Sequence, residues 1–297
     1  MPSITLDQTR TLLTEKGYIT DSGIVMSVFL AMQLQKPLLI EGPAGVGKTE
    51  IAKVMAKALD TDLIRLQCYE GLDATQALYE WNYQRQLLRL KMSENQQNSS
   101  VELLEDEIFS EKYLLKRPLL QAITHHKSPV LLIDEIDRAD EEFESFLLEV
   151  LSDWQISIPE IGTIKATHIP QVIITGNRVR ELSEALRRRC LYLWIDYPDF
   201  DKEFAIVRSK VPAINAKLAE QICQFMHILR QLRLEKTPGI AETLDWATAI
   251  TTLHFEHLDK SLIAQTLGVI LKDWKDMRQV QMSLSELYEK VGVASKF

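Results

Sequence analysis

A glycine-rich segment between an apolar run and a helical run limits the possible folds of this chain more than any other feature. Residues 42–49 read Gly-Pro-Ala-Gly-Val-Gly-Lys-Thr and match the spacing GxxxxGK followed by Ser or Thr. The apolar run at residues 37–41 is typical of a buried parallel strand, and residues 48–59 have helical spacing. Glycines let such a loop curl until its N–H groups point at phosphate oxygens, and the helix N-terminus adds the positive end of its dipole. We therefore expect a strand, a phosphate-binding loop and a helix, in that order.

A second apolar run ends in two acidic residues. Residues 130–135 read Val-Leu-Leu-Ile-Asp-Glu, which places Asp134 at the carboxyl end of a buried strand. Because ligands bind at that edge of open α/β sheets, the Thr49 hydroxyl is predicted to hold Mg²⁺ and Asp134 to reach the ion through water. Lys48 is expected to neutralise phosphate oxygens, and Glu135 to polarise the attacking water. The sequence contains no NKxD element of the kind that guanine-specific enzymes carry, so ATP is favoured over GTP.

Two later segments end in polar or basic residues. Residues 171–177 form another apolar run that ends in Asn177, whose amide can orient water or contact a γ-phosphate. An ordinary turn residue is the alternative for this asparagine. Three consecutive arginines at residues 187–189 close a short helix just before a strand. They fit either a solvated helix end, where their positive charges interact favourably with the helix dipole, or an arginine finger that reaches a neighbouring subunit's phosphate.

Strand and helix patterns alternate along the first two thirds of the chain. The strand candidates lie at residues 37–41, 62–67, 129–133, 171–175 and 190–195. Helical runs separate most of them, so we predict an α/β layer with a parallel sheet.

Two segments interrupt the alternation, and the sheet pattern stops near Pro198. Residues 71–115 form a helical insertion whose polar run at residues 93–100 predicts a mobile loop. Residues 154–170 alternate apolar and polar positions and predict a β-hairpin whose isoleucines meet the domain body, a neighbouring subunit or a client. We therefore predict an α/β domain at residues 1–198, which opens with a helix, and a helical domain at residues 199–297.

Composition excludes several classes of function. The 34 Lys and Arg residues against 42 Asp and Glu residues give a net charge of −8, opposite in sign to that of a protein that coats nucleic acid. The three cysteines form no CxxC pair, which fits a reducing compartment. Residues 1–17 show no secretory signal, and the apolar run at residues 23–32 is too short to span a bilayer. We expect a soluble cytoplasmic protein with neither a nucleic-acid partner nor a membrane span.

These motifs, in this order, resemble those of the AAA+ ATPases, and within them the chain is similar to the MoxR group. The hairpin before the Asn177 strand and the insertion after the second strand both fit that group. Residues 63–83 and the stretch Pro-Gly-Ile-Ala-Glu-Thr-Leu-Asp-Trp-Ala at residues 238–247 resemble the CoxD-type branch. That branch is linked to maturation of molybdenum-containing carbon monoxide dehydrogenase and related hydroxylases. The resemblance covers nearly the whole chain and implies a P-loop core with a helical lid.

The resemblance also implies a role for each matched position. The residues matched to nucleotide binding are Gly42, Pro43, Ala44, Gly45, Val46, Gly47, Lys48, Thr49 and Glu50. Those matched to Mg²⁺ are Thr49 and Asp134, and those matched to catalysis are Glu135, Asn177 as sensor 1, Arg189 as the finger and Arg188 as second choice. The family further implies a homo-oligomeric ring, usually a hexamer, with ATP at subunit interfaces. Relatives often work with a partner that contains a von Willebrand factor A domain and remodel a metalloenzyme client, such as a molybdenum hydroxylase.

The sequence departs from the family at one position and leaves two other functions open. The lid helix near Pro238 contains no sensor-2 arginine, and Arg230 or Arg233 are the candidates to replace it. The first alternative function is a scaffold gated by ATP binding with little turnover, which a phosphate-release assay would separate from an ATPase. The second is a DNA-dependent AAA+ motor, against which the net charge of −8 weighs.

Overall fold

The computed structural model describes residues 4–93 and 101–294, and it describes side chains throughout these ranges except at residues 101–103 and 292–294. The chain divides into two compact units. The first holds the chain up to Lys16, Thr20–Glu41 and Thr49–Leu193, and the second holds Gly17–Ile19, Gly42–Lys48 and the chain from Trp194. Of the run predicted to form a mobile loop, only Ser93 falls within the described residues.

The described residues form nine strands and fourteen α-helices. The strands are β1 (Leu38–Glu41), β2 (Leu63–Gln67), β3 (Tyr79–Trp81), β4 (Leu114–Lys116), β5 (Val130–Asp134), β6 (Gln155–Ile158), β7 (Gly162–Lys165), β8 (Gln171–Gly176) and β9 (Leu191–Trp194). The helices are α1 (Leu6–Glu15), α2 (Ser22–Leu34), α3 (Lys48–Ala58), α4 (Ala74–Leu78), α5 (Tyr83–Ser93), α6 (Val101–Ile108), α7 (Pro118–Ile123), α8 (Glu141–Asp153), α9 (Glu184–Arg189), α10 (Phe200–Lys210), α11 (Ala216–Arg230), α12 (Ile240–Thr252), α13 (Lys260–Ile270) and α14 (Trp274–Ala294).

The first unit is built on a five-stranded sheet of order β2-β5-β8-β1-β9. β5 pairs parallel with β2 and β8, and β8 pairs parallel with β1. Every residue of β5 and β8 is buried, which explains their continuous apolar runs, since central parallel strands are covered on both faces. The register sets Gln67 beside Asp134 and Glu41 beside Gly176, so polar strand ends gather at one edge. The predicted α/β core with a parallel sheet is confirmed.

The sequence pattern predicted a helical insertion at residues 71–115, but in the structure this segment is not wholly helical. It contains α4, α5 and α6, but β3 and β4 also pair antiparallel, with Trp81 opposite Leu114. Both of these side chains are buried, and the Trp81 ring lies edge-on to Phe109 at 5.4 Å. Burial of an aromatic residue outweighs the polar composition of the flanking segments, so a short strand pair forms here.

The segment predicted to form a hairpin contains β6 and β7, which pair antiparallel with Ile156 opposite Ile164. Ile156 and Ile158 are buried in the core of the first unit, and Ile161 and Ile164 are partly buried against that core. These isoleucines were predicted to contact the domain body, a neighbouring subunit or a client. In the structure they pack against the body of their own unit.

The second unit encloses its own core, in which Phe225 and Trp246 are fully buried with ring centroids 5.4 Å apart. Beside them Arg230 donates two hydrogen bonds to the fully buried carboxylate of Glu203, at 2.6 and 2.8 Å, and a third to Thr243. Its Nε atom donates to the carbonyl of Pro238 at 2.8 Å. Arg230 thus joins α10, α11 and the turn before α12. Across both units, no helix within the described ranges has the length and apolar character needed to cross a bilayer.

Candidate functional site

The glycine-rich loop curls around its own lysine. Gly42, Gly45 and Gly47 all have positive φ angles, and α3 begins at Lys48. The Lys48 ammonium is buried and donates to the carbonyls of Gly42 at 2.9 Å and Pro43 at 2.6 Å. A φ of +92° at Gly47, directly before the helix, is a conformation that residues with a Cβ rarely adopt. The loop therefore has the curled backbone that the GxxxxGK spacing predicts.

Within the same unit, the start of α12 lies directly on this loop. The Ala241 N–H donates to the carbonyl of Gly45 at 3.1 Å. A Cβ added to Gly239 would lie 2.8 Å from the Ala44 oxygen, a distance that real Cβ atoms do not tolerate. The Glu242 carboxylate accepts from the Gly239 N–H at 2.8 Å and holds this turn closed. The segment that lacks the expected sensor-2 arginine thus contacts the loop through its backbone.

Arg230, one of the two candidates for that arginine, points into the interior of the second unit. Its bonds to Glu203, Thr243 and Pro238 occupy every guanidinium nitrogen, and it lies over the ring of Tyr197 at 5.3 Å. Its position therefore fits a structural residue that fixes the turn at Pro238.

In the first unit, Asp134 is the centre of a buried hydrogen-bond network. Its Oδ1 atom accepts from the hydroxyl of Thr49 at 3.1 Å and from that of Thr175 at 2.5 Å. Its Oδ2 atom accepts from Nε of Arg65 at 3.0 Å and from Nη2 at 2.5 Å. Asp134 is only 3% exposed, and Thr49 follows Lys48 directly in the chain. A hydroxyl and a carboxylate at hydrogen-bond distance are the hard oxygen ligands that suit Mg²⁺, so the residues fit this ion.

Sequence reasoning missed two members of this network, Arg65 and Thr175. Both lie on strands next to β5 in the sheet, but β2 is more than 60 residues away from β5 along the chain. One signal was present, since Arg65 and Gln67 interrupt an otherwise apolar strand at alternate positions. Alternate residues of a strand share a face, so one of them beside Asp134 implies the other nearby.

Glu135 has a left-handed backbone, with φ of 56° and ψ of 49°. Such angles are uncommon outside glycine and concentrate at functional sites. Its N–H donates to the hydroxyl of Thr175 at 3.0 Å, which ties it to the Asp134 network. Its carboxylate pairs with Nε of Arg138 at 2.7 Å, so the predicted base is held by a cation in this structure.

Asn177 directly follows β8, at the same sheet edge as Asp134. Its N–H and that of Val179 donate to Oδ2 of Asp137 at 2.9 and 2.7 Å. Asp137 is 2% exposed and therefore fixes the turn that carries Asn177. A turn role and a sensor-1 role are both compatible with this geometry.

The three consecutive arginines have different surroundings. Arg187 lies 3.5 Å from the buried carboxylate of Glu41 and over the ring of Tyr192. Arg188 pairs with Glu184 one helical turn away, on the surface. Arg189 donates to the carbonyl of Leu148 in α8 at 2.5 Å. None of the contacts described for Arg188 or Arg189 joins them to Asp134 or Glu135, so a finger role for either remains a prediction about a neighbouring subunit.

Burial determines the protonation of the three cysteine thiols. Burial raises the pKa of the Cys68, Cys190 and Cys223 thiols to about 12. At Cys68 the negative charges of Asp134, Asp137 and Glu135 raise the pKa further. The raised pKa favours the protonated thiol at neutral pH, and the thiolate is the reactive form, so these positions fit structural cysteines better than nucleophiles.

Comparison with known proteins places this arrangement in a family. Residues 37–190, just over half of the chain, match the AAA domain (dynein-related subfamily). Uncharacterized proteins of Staphylococcus aureus (strain bovine RF122 / ET3-1) and Staphylococcus haemolyticus (strain JCSC1435) are 27% and 25% identical to it over 260 residues, which cover 84% of this chain and 90% of each relative. Two mutant forms of Thermotoga maritima RuvB share its fold with TM-scores of 0.50 at 19% identity, covering 96% of this chain and 80% and 78% of theirs. The chain therefore belongs to the dynein-related subfamily of AAA domains.

Proposed function

We propose that this protein is a Mg-ATP-hydrolysing AAA+ chaperone of the MoxR type that remodels or activates a metalloenzyme client. The observation that carries the ATPase part is the Thr49–Asp134 hydrogen bond directly after the curled loop at Lys48. Lys48 and the loop N–H groups bind the β- and γ-phosphates, and Thr49 and Asp134 hold Mg²⁺, which neutralises phosphate charge when bound. Glu135 takes the proton of the attacking water, for which it must leave Arg138.

The MoxR assignment and its CoxD-type branch are supported by sequence resemblance and by one structural feature. Residues 238–247, which carry part of the resemblance, form the turn at Gly239 and the start of α12 that lies on the loop. A lid that follows the nucleotide through backbone contacts is suited to transmit its state to a client. We extend the proposal to a lid at residues 199–297, a hexameric ring, a von Willebrand factor A domain partner and a molybdenum hydroxylase client.

A scaffold gated by ATP binding with little turnover is the second candidate. The ion pair between Glu135 and Arg138, 2.7 Å long, favours it, because the carboxylate must break this contact before it can take a proton from water.

ATP binding to the Lys48→Ala variant tests the proposed nucleotide site. Removal of the loop's ammonium should weaken ATP binding by about 10-fold to 100-fold, the range expected for a charge-assisted contact. Isothermal titration calorimetry measures this affinity. Lys53→Ala is the matched control, because Lys53 lies on the same helix but is half-exposed and pairs only with Glu50 among its described ion pairs. Equal affinities in Lys48→Ala and wild type would exclude this loop as the phosphate site.

The proposed finger predicts that Arg189 acts on the nucleotide of a neighbouring subunit. Arg189→Ala should bind ATP but hydrolyse it very slowly, since a cation beside the γ-phosphate stabilises the transition state. In head-to-tail rings mixed equally from Arg189→Ala and Lys48→Ala, about one interface in four joins an intact loop to an intact finger. Phosphate release should therefore partly recover.

Arg188→Ala tests the second choice for the finger and should hydrolyse ATP at the wild-type rate if Arg189 is the finger. Normal turnover by Arg189→Ala alone would exclude Arg189 as the finger and favour the interpretation of the three arginines as a solvated helix end. Native mass spectrometry identifies the mixed rings, and mixed rings without recovered activity would also count against Arg189.

A further inference from the structure

Arg65 holds the buried carboxylate of Asp134 from the neighbouring strand. Two of its nitrogens, Nε and Nη2, converge on the single oxygen Oδ2 at 3.0 and 2.5 Å. The Arg65 side chain is 52% exposed, whereas that of Asp134 is 5% exposed. The pair thus joins a buried anion to a cation that reaches out to solvent.

Asp134 needs a cationic partner in this structure. A buried carboxylate without compensation is strongly destabilising, and hydroxyl donors such as Thr49 and Thr175 neutralise none of its charge. Among the described ion pairs of Asp134, Arg65 supplies the only positive charge.

A divalent cation at the same carboxylate would compete with this arginine. Thr49 contacts Oδ1 of Asp134, so a divalent cation held by both residues would lie beside Oδ1, on the carboxylate whose other oxygen, Oδ2, already accepts from the guanidinium. The double positive charge of Mg²⁺ would repel the guanidinium of Arg65, because only the carboxylate group of Asp134 would separate them. Arg65 in its present position therefore weakens metal binding at Asp134, and a bound metal weakens the contact between Arg65 and Asp134.

Gln67 offers Arg65 a second position. Its Oε1 atom already accepts a hydrogen bond from Nη2 of Arg65, on the same face of β2. The guanidinium can therefore leave Asp134, keep this bond and satisfy its other donors with water, since it is half-exposed.

We propose that Arg65 is a tethered counter-ion that occupies Asp134 in the metal-free protein and is displaced onto Gln67 when a divalent cation binds. The proposal rests on the proposed function, in which Asp134 is a metal ligand. It makes metal entry depend on a competitor within the chain, so that the metal binds well only when nucleotide phosphates add their own oxygens.

The test measures metal affinity in the full-length protein with ATP bound. Glu135→Gln provides a background in which ATP stays intact, and electron paramagnetic resonance of free Mn²⁺ reports how much of the ion is bound. Arg65→Gln in that background should bind Mn²⁺ about tenfold tighter, the factor of one lost charge-assisted contact. Arg117→Gln, which breaks an exposed ion pair with Glu80, is the matched control and should leave the affinity unchanged.

Thermal unfolding separates competition from a purely structural role. In EDTA, Arg65→Gln should unfold at a lower temperature than its background, because Asp134 has lost its counter-ion. Saturating Mn²⁺ should remove that difference, because the bound ion compensates the same carboxylate. A merely structural arginine would lower the unfolding temperature equally with and without Mn²⁺, and that result would overturn the proposal.

Two further variants make each failure identifiable. Arg65→Lys keeps the charge and should raise Mn²⁺ affinity in the same direction by a smaller factor, which covers the case in which Arg65→Gln does not fold. Asp134→Asn should lose Mn²⁺ binding, and if it binds as its background does, the proposed metal site is wrong. Normal Mn²⁺ binding by the background with no gain in either Arg65 variant would overturn the counter-ion role alone.

Discussion

Replacing Arg230 by methionine is expected to destabilise the second unit by about 3–5 kcal/mol, the range measured when one partner of a buried ion pair is removed. Glu203 is fully buried, and its two oxygens accept from Arg230 at 2.6 and 2.8 Å. Without the guanidinium, this carboxylate would have only the Thr243 hydroxyl among its described partners. Urea titration measures the loss as a lower free energy of unfolding.

A second substitution shows whether the uncompensated charge is the cause. Changing Glu203 to leucine together with Arg230→Met removes both charges and should recover most of the lost stability, as replacing whole buried ion pairs by apolar residues commonly does. Arg188→Met is the control, since its pair with Glu184 is exposed and should contribute about 0–1 kcal/mol. A loss below about 1 kcal/mol in Arg230→Met would mean that the network does not hold the turn at Pro238.

Glu135→Gln is expected to slow ATP hydrolysis by about 100-fold or more, the usual effect of losing a general base. The amide keeps the size of the side chain and leaves Asp134, Thr49 and Lys48 in place, so ATP should still bind. Steady-state phosphate release gives the rate, and calorimetry gives the affinity.

The control for this second prediction lies close by in the sequence. Glu142 is an exposed carboxylate in the first turn of α8, and Glu142→Gln should hydrolyse ATP at the wild-type rate. Wild-type turnover by Glu135→Gln would remove Glu135 from the proposed mechanism.

The sequence was sufficient to predict the sheet and its polar edge. β5 and β8 are buried on both faces, and such strands appear in a sequence as continuous apolar runs. The position of Asp134 at the end of β5 follows from that run, and its proximity to Thr49 follows from the phosphate-loop spacing. Local patterns were enough here because each element carries its own hydrophobic signal.

Such local patterns could not predict contacts that depend on the order of the strands or on the close approach of two backbone segments. Nothing in the local sequence shows that β2 lies beside β5, so the ion pair between Arg65 and Asp134 appears only in the folded chain. The same holds for Gly239, whose missing Cβ matters only because the loop backbone lies against it. The roles of Asn177 and Arg189 stay predictions, since they concern a bound nucleotide and a second subunit.

The rate of Mg²⁺-dependent phosphate release from ATP, compared between wild type and Lys48→Ala purified identically, tests the central claim most directly. The proposed ATPase predicts steady release by wild type that requires Mg²⁺ and is absent in Lys48→Ala, because the loop around Lys48 leads directly into the Thr49–Asp134 pair. Equal release by the two proteins, or no release by wild type above the level of the variant, would contradict it.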